Sequence, residues 1–170
     1  MDAAKPLLQA AVVALLATMG AQTLAQTAAR PKLRITAPSN ITRDVPSVGA
    51  PFGPVPTAAN FNGEVVFTLD EGGKSSNDGC EPIQSDVKGK IALVVRGTCD
   101  FIVKAQNAEA AGASAVVIIN NVAGPLPSIS GEGLVNIPVL LVSQADGNLM
   151  ARNESSVRLG TSVAGRMALL

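Results

Sequence analysis

The chain has no histidine, no tryptophan and no tyrosine. Without histidine, nucleophilic pairs of the Ser-His-Asp or Cys-His kind are excluded, and the commonest zinc ligand is missing. Four phenylalanines make up the whole aromatic complement. That is too few for a platform that stacks bases or for aromatic shelves that hold sugar rings. Thirteen cationic residues balance thirteen anionic ones, so no net field draws the chain to nucleic acid or to an anionic membrane. The apolar stretch Leu7 to Met19 is interrupted by Gln9 and Thr18. It falls short of the about 20 residues that a membrane span needs.

With 170 residues, 47% of them apolar, the chain has enough to build one core-bearing domain with appendages. Residues 1–25 read as a secretory signal peptide. Lys5 supplies the positive start, although Asp2 offsets it, and Thr23-Leu24-Ala25 is a small-residue cleavage pattern. The expected location is therefore secreted or periplasmic. Residues 26–49 read as an extended leader, because Pro31, Pro38 and Pro46 forbid long helices. Within it, Leu33-Arg34-Ile35 alternates like a short edge strand. Residues 50–160 carry the domain, and residues 161–170 are a tail with an apolar end.

The centre of that domain is residues 89–121. Lys90 to Val95 is a short apolar run that stops at Arg96-Gly97-Thr98-Cys99. A helix follows, with Phe101, Ala105, Ala108 and Gly112 on one face. Asp100 is placed to cap its start, and Gly112 to end it in a left-handed conformation. Ala115 to Ile119 is a second buried run, which makes strand, helix, strand a parallel βαβ unit. The small residues on the helix predict a close helix–sheet contact. Further strands are expected at Glu64–Leu69, Ile137–Val142 and Ser156–Leu159. Ser143 and Asp146 form a capping box for a short helix over Gln144–Arg152. The fold class is mixed α+β: a β-sandwich or open barrel of short strands, with the βαβ unit and two flanking helices.

Cys80 and Cys99 are the only cysteines, and an even count in an exported chain points to a disulfide. The rival reading is a reactive Cys99 at a helix N-terminus, where a thiolate is stabilised. The segment Asp70 to Gly79, with Glu81 and Asp86 close behind, is acidic. Carboxylates of this density suit calcium, but the EF-hand spacing is missing, so a solvated loop is expected. Neither a metal site nor a cofactor is expected.

Taken in order, Gly89-Lys90-Ile91-Ala92-Leu93, Arg96-Gly97-Thr98-Cys99-Asp100-Phe101, Lys104, Asn107-Ala108, Ala111-Gly112-Ala113, Asn120-Asn121, Ile137-Pro138-Val139 and Ser143 to Gly147 resemble the protease-associated (PA) domain. The resemblance covers roughly residues 50–160. It implies the same mixed fold and a non-catalytic module that binds peptides or proteins or controls access to an active site. Arg96, Gly97, Thr98 and Asp100 match the loop that contacts ligand in the sorting-receptor branch of that family. Arg96 is the expected anchor, since a guanidinium forks onto carboxylates or peptide carbonyls. Its alternative role is an ion pair with Asp78, Glu81 or Asp100. The loop over residues 122–136 is expected to border the same crevice.

The chain is thus expected to be no enzyme but an exported module for peptide or protein segments, as accessory to or fragment of a protease. Nucleic acid is not an expected partner, nor is a membrane once the signal is removed. Two alternatives stand beside this reading. One is a hydrolase using Cys99 or Ser130. The other is a structural accessory that shields a partner protein, to which the apolar tail would contribute.

Overall fold

The structure, a computed structural model, describes residues 32–162. The signal segment and residues 163–170 of the tail lie outside the described residues. Among the described residues, no helix is long and apolar enough to cross a membrane.

The elements follow in chain order as β1 (Lys32–Ala37), a 3-10 turn (Ser39–Ile41), β2 (Arg43–Val45), β3 (Ser47–Gly49), β4 (Gly63–Phe67), β5 (Ile91–Val95), α1 (Phe101–Ala110), β6 (Ala115–Ile119), β7 (Val139–Val142), α2 (Gln144–Arg152) and β8 (Arg158–Ser162). The eight strands form one mixed sheet in the order β2-β1-β8-β4-β5-β6-β7-β3. The run β4-β5-β6-β7 is parallel. The remaining pairs are antiparallel. The two edge strands, β2 and β3, are consecutive in the chain and separated only by Pro46. That short link brings the ends of the sheet together, so the sheet curls into a nearly closed barrel. Proline has no N–H to donate, which suits it to the point where the ladder is broken.

Alternation along the strands divides the core into two faces. Ile91 and Leu93 of β5, Val117 and Ile119 of β6, and Leu140 and Val142 of β7 join Leu33, Ile35 and Phe61 in one cluster. Ala92, Val94, Val116, Ile118, Val139 and Leu141 point the other way, into a cluster with Ile102, Ala105 and Ala108 of α1. Every residue of β6 is buried, as a parallel strand covered on both faces requires. α2 adds Met150 to the first cluster. The two helices therefore cover opposite faces of the parallel strands.

α1 ends in a Schellman motif. The Gly112 amide donates to the Glu109 carbonyl at 2.9 Å and the Ala113 amide to the Ala108 carbonyl at 3.0 Å. The motif needs a left-handed residue, and Gly112 has φ 85°. Asp100 is the N-cap residue, but its side chain makes no cap hydrogen bond, contrary to expectation. The buried face also differs from the expected one: it carries Ile102, Lys104, Ala105 and Ala108, while Phe101 is half-buried and Gly112 exposed. The reason is Lys104, whose ammonium finds its partners inside. The capping box of α2 forms as expected, with the Asp146 amide donating to Ser143 Oγ at 3.1 Å. Arg43 of β2 forms an ion pair with Asp146, tying that edge strand to the helix.

Residues 32–49, expected as an extended leader, supply three strands. β1 is not an edge strand, because it lies between β2 and β8. β8 runs on to Ser162, three residues past the expected end, by pairing with β1.

Candidate functional site

At the end of β5 the chain is anchored on both sides. The Val95 amide donates to the Asn77 carbonyl and the Arg96 amide to the Ile119 carbonyl, each at 2.8 Å. The chain then reverses through Gly97 (φ 124°) and Thr98 (φ 68°), and the Cys99 amide donates to the Gly97 carbonyl at 2.8 Å. Thr98 is the one non-glycine residue with positive φ among the described residues. A left-handed β-branched residue costs about 1–2 kcal/mol, so other contacts must hold the turn.

Three ties do so. Cys80 and Cys99 are joined by a disulfide with 5.8 Å between their Cα atoms. Lys104 Nζ donates to the Gly97 carbonyl at 2.6 Å. Arg96 Nη1 donates to Asn120 Oδ1 at 2.9 Å, and its guanidinium lies 5.8 Å from the centre of the Phe101 ring. Asn120 is itself buried, and its amide group donates to the Val122 carbonyl at 2.9 Å. Arg96 has no carboxylate partner among the described residues, so the expected ion pair to Asp78, Glu81 or Asp100 gives way to a neutral amide.

The six residues Arg96 to Phe101 line a cleft of about 310 Å³. All four residues read from the sequence as ligand contacts, Arg96, Gly97, Thr98 and Asp100, therefore share one opening. Thr98 and Asp100 are exposed, and Arg96 and Gly97 are half-buried. No side chain caps the first turn of α1, which begins at the edge of this cleft. The cleft thus offers a guanidinium, a hydroxyl and the start of a helix, a set suited to carbonyl or carboxylate groups.

Sequence reasoning missed the role of Lys104, which is fully buried. Its three donors meet the Asp78 carbonyl at 2.7 Å, the Gly97 carbonyl at 2.6 Å and Cys80 Sγ at 3.2 Å. Burial draws this ammonium below its usual range, while Asp78, Asp70 and Glu81 pull the other way. Its charge at a helical position and its place in the PA-like pattern were the available signals, and neither shows an inward-pointing side chain.

The acidic loop is only partly the solvated one expected: residues 71–74 are exposed, but its two aspartates are not. Asp70 and Asp78 are each only 2% exposed. The loop is closed at its neck by an antiparallel bridge between Asp70 and Ile83. Burial raises the Glu81 carboxyl above its ordinary range, and the charges of Asp78 and Asp70 add to that.

Residues 122–136 do not line the Arg96–Phe101 cleft. They fold over α1 instead: a Cβ at Gly131 would sit 3.1 Å from both Ile102 and Phe52. Leu134, Val135 and Asn136 meet Pro51 to Pro54 at a second, largely apolar cleft of about 360 Å³. Ser130 is exposed. Cys99 is bound in its disulfide, which removes it as a nucleophile.

The PA domain profile matches residues 61–150. A signal peptide peptidase-like protein (number 4) of Oryza sativa subsp. japonica is 41% identical over 90 residues, covering 48% of this chain and 16% of that protein. Aminopeptidase YwaD of Bacillus subtilis is 44% identical over 79 residues, covering 44% of this chain and 17% of that protein. Among solved structures, an aminopeptidase from Aneurinibacillus sp. strain AM-1 superposes with a TM-score of 0.61 at 26% identity, over 82% of this chain and 32% of that one. A zinc aminopeptidase from Bacillus subtilis superposes with a TM-score of 0.55 at 25% identity, over 78% of this chain and 30% of that one. The chain thus spans about a sixth of the length of these curated relatives and under a third of the solved chains. The matched segment takes in the reversed turn, its disulfide and both helices up to Met150: the chain belongs to the PA domain family.

Proposed function

We propose that this chain is an exported, non-catalytic module that holds a peptide or protein segment at the Arg96–Phe101 cleft, in the service of a protease. The observation that carries this reading is the turn itself. A strained, exposed Thr98 stands at the mouth of a cleft whose backbone is held from behind by a disulfide, a buried lysine and a buried asparagine. Strain held in place this firmly suits a preorganised contact surface. The disulfide and the signal-like start both favour an oxidising, extracellular or lumenal setting. What supports a non-catalytic role is the chemistry available: the chain has no histidine, both cysteines are joined in the disulfide, and Ser130 is exposed.

The test is a titration of peptides, or of a partner captured by pull-down, against the wild type and Arg96→Ala, with thermal melts alongside. Binding should weaken by roughly 10–100-fold, the loss of one charge-assisted hydrogen bond to the ligand, while the melt falls only by the lost tie to Asn120, about 1–3 kcal/mol. Unchanged binding would place the ligand elsewhere. A collapse of the melt would make Arg96 structural. Peptidase activity in the purified chain would refute the non-catalytic reading outright.

A second reading, a brace packed against a protease, draws on the apolar cleft and on Leu134, which is 81% exposed. Leu134→Asp should then abolish association with that protease while leaving peptide binding at the Arg96 turn intact.

A further inference from the structure

Three acids of the acidic loop, Asp70, Asp78 and Glu81, each keep one buried oxygen without a partner. Asp78 Oδ1 accepts from the Cys80 amide at 3.0 Å, and Asp78 Oδ2 is buried with nothing bonded to it. Asp70 Oδ2 accepts from the Glu81 amide at 3.4 Å, and Asp70 Oδ1 is buried and unbonded. Glu81 Oε2 is the third such atom. One carboxylate oxygen from each of the three residues lies within 4.8 Å of the other two. Burying even one unpaired carboxylate is costly, and three together repel one another. The nearby cation does not resolve this, because the donors of Lys104 are taken by two carbonyls and a sulfur. Among the described residues no ion pair reaches Asp70, Asp78 or Glu81.

From these contacts we propose that Asp70, Asp78 and Glu81 hold one divalent cation, of the calcium class. The donors are all hard oxygens, which suit calcium and not the softer transition metals. Oxygens on opposite sides of a calcium ion stand about 4.6–5.2 Å apart, from its usual bond lengths, and the observed spacing falls within that reach. Two of the three carboxylates are 98% buried, from the 2% exposure of Asp70 and Asp78. Three protein carboxylates are fewer than the six to eight oxygens calcium takes, so water completes the shell. That places the affinity near the 0.1–1 mM of extracellular calcium modules. The ion would clip the loop between Asp70 and Ile83 at its base, next to the cysteine that anchors the reversed turn. The site does not depend on the peptide-binding reading.

The experiment uses the full 170-residue chain, stripped with EDTA and titrated with calcium chloride by calorimetry, with thermal melts in 0 and 10 mM calcium. The wild type should bind one ion, and its melting midpoint should rise by about 5–10 °C. Asp78→Asn keeps the acceptor for the Cys80 amide but removes the charge, and it should lose both responses. Glu81→Gln serves the same purpose should the Asp78 variant not fold. Asp86→Asn changes an exposed carboxylate outside the cluster and should respond as the wild type does. No calcium response in the wild type would overturn the proposal. A response that survives Asp78→Asn or Glu81→Gln would overturn it equally.

Discussion

Replacing Lys104 with methionine tests whether a buried ammonium organises the binding turn. Methionine keeps the unbranched apolar stem but cannot donate. The change removes the hydrogen bonds to the Asp78 carbonyl at 2.7 Å, the Gly97 carbonyl at 2.6 Å and Cys80 Sγ at 3.2 Å. Both carbonyls lose a charge-assisted donor, and a buried group left unsatisfied costs about 1–3 kcal/mol. The Gly97 carbonyl still accepts from the Cys99 amide, so its loss lies at the low end. Against this stands a gain, since the ammonium no longer has to be desolvated, the same burial that draws its pKa down. A second loss adds to the first: Glu81 loses the nearby positive charge that works against the upward shift of its carboxyl. The net expectation is a destabilisation of about 2–4 kcal/mol, close to that for breaking a buried charged pair. With a urea dependence of about 1–2 kcal/mol per molar, the unfolding midpoint should fall by roughly 1–4 M. Far-UV circular dichroism is the readout, because the chain has no tryptophan or tyrosine to follow by fluorescence. A midpoint within about 0.5 M of the wild type would refute the argument. It would mean that the desolvation of the ammonium cancels its hydrogen bonds.

Three further substitutions probe the scaffold. Cys80→Ser with Cys99→Ser opens a bridge across a separation of 19 residues and should lower stability by about 2–5 kcal/mol, read by denaturation under non-reducing conditions. An unchanged midpoint there would mean that the Lys104 and Arg96 ties suffice to hold the turn. Ala108→Leu adds bulk where α1 meets Val116 and Ile118 and should cost roughly 1–3 kcal/mol; no loss would mean that α1 can lift off the sheet freely. Gly147→Ala would place a Cβ 2.6 Å from Ile119 Cγ1 and 2.8 Å from its Cβ. Helix propensity favours alanine by about 1 kcal/mol, yet overpacking of up to about 3 kcal/mol outweighs it. A net loss in thermal stability is expected, and a stabilised variant would show that α2 yields.

The βαβ unit was legible from residues alone because its signals are local. The β-branched runs at 91–95 and 115–119, the small residues of α1, Gly112 at its end and the Ser143–Asp146 box all appear where their patterns placed them. The absence of histidine and the pair of cysteines bounded the chemistry in the same local way. Tertiary structure decided what depends on partners distant in sequence. Within residues 32–49 only Leu33-Arg34-Ile35 alternates like a strand, and the rest carries too few apolar residues to declare itself. β1 and β3 become strands because β8 and β7 offer open edges to pair with, and β2 then pairs with β1. The barrel nearly closes because Pro46 sets the two edge strands side by side in the chain. Arg96 turns to Asn120, and not to a carboxylate, because β5 and β6 lie in register side by side. Lys104 points inward and Asp70 and Asp78 are buried because the disulfide folds the 70–81 loop onto α1. In the sequence a lysine or an aspartate reads as solvated. Only the packing around Lys104, Asp70 and Asp78 shows that they are not.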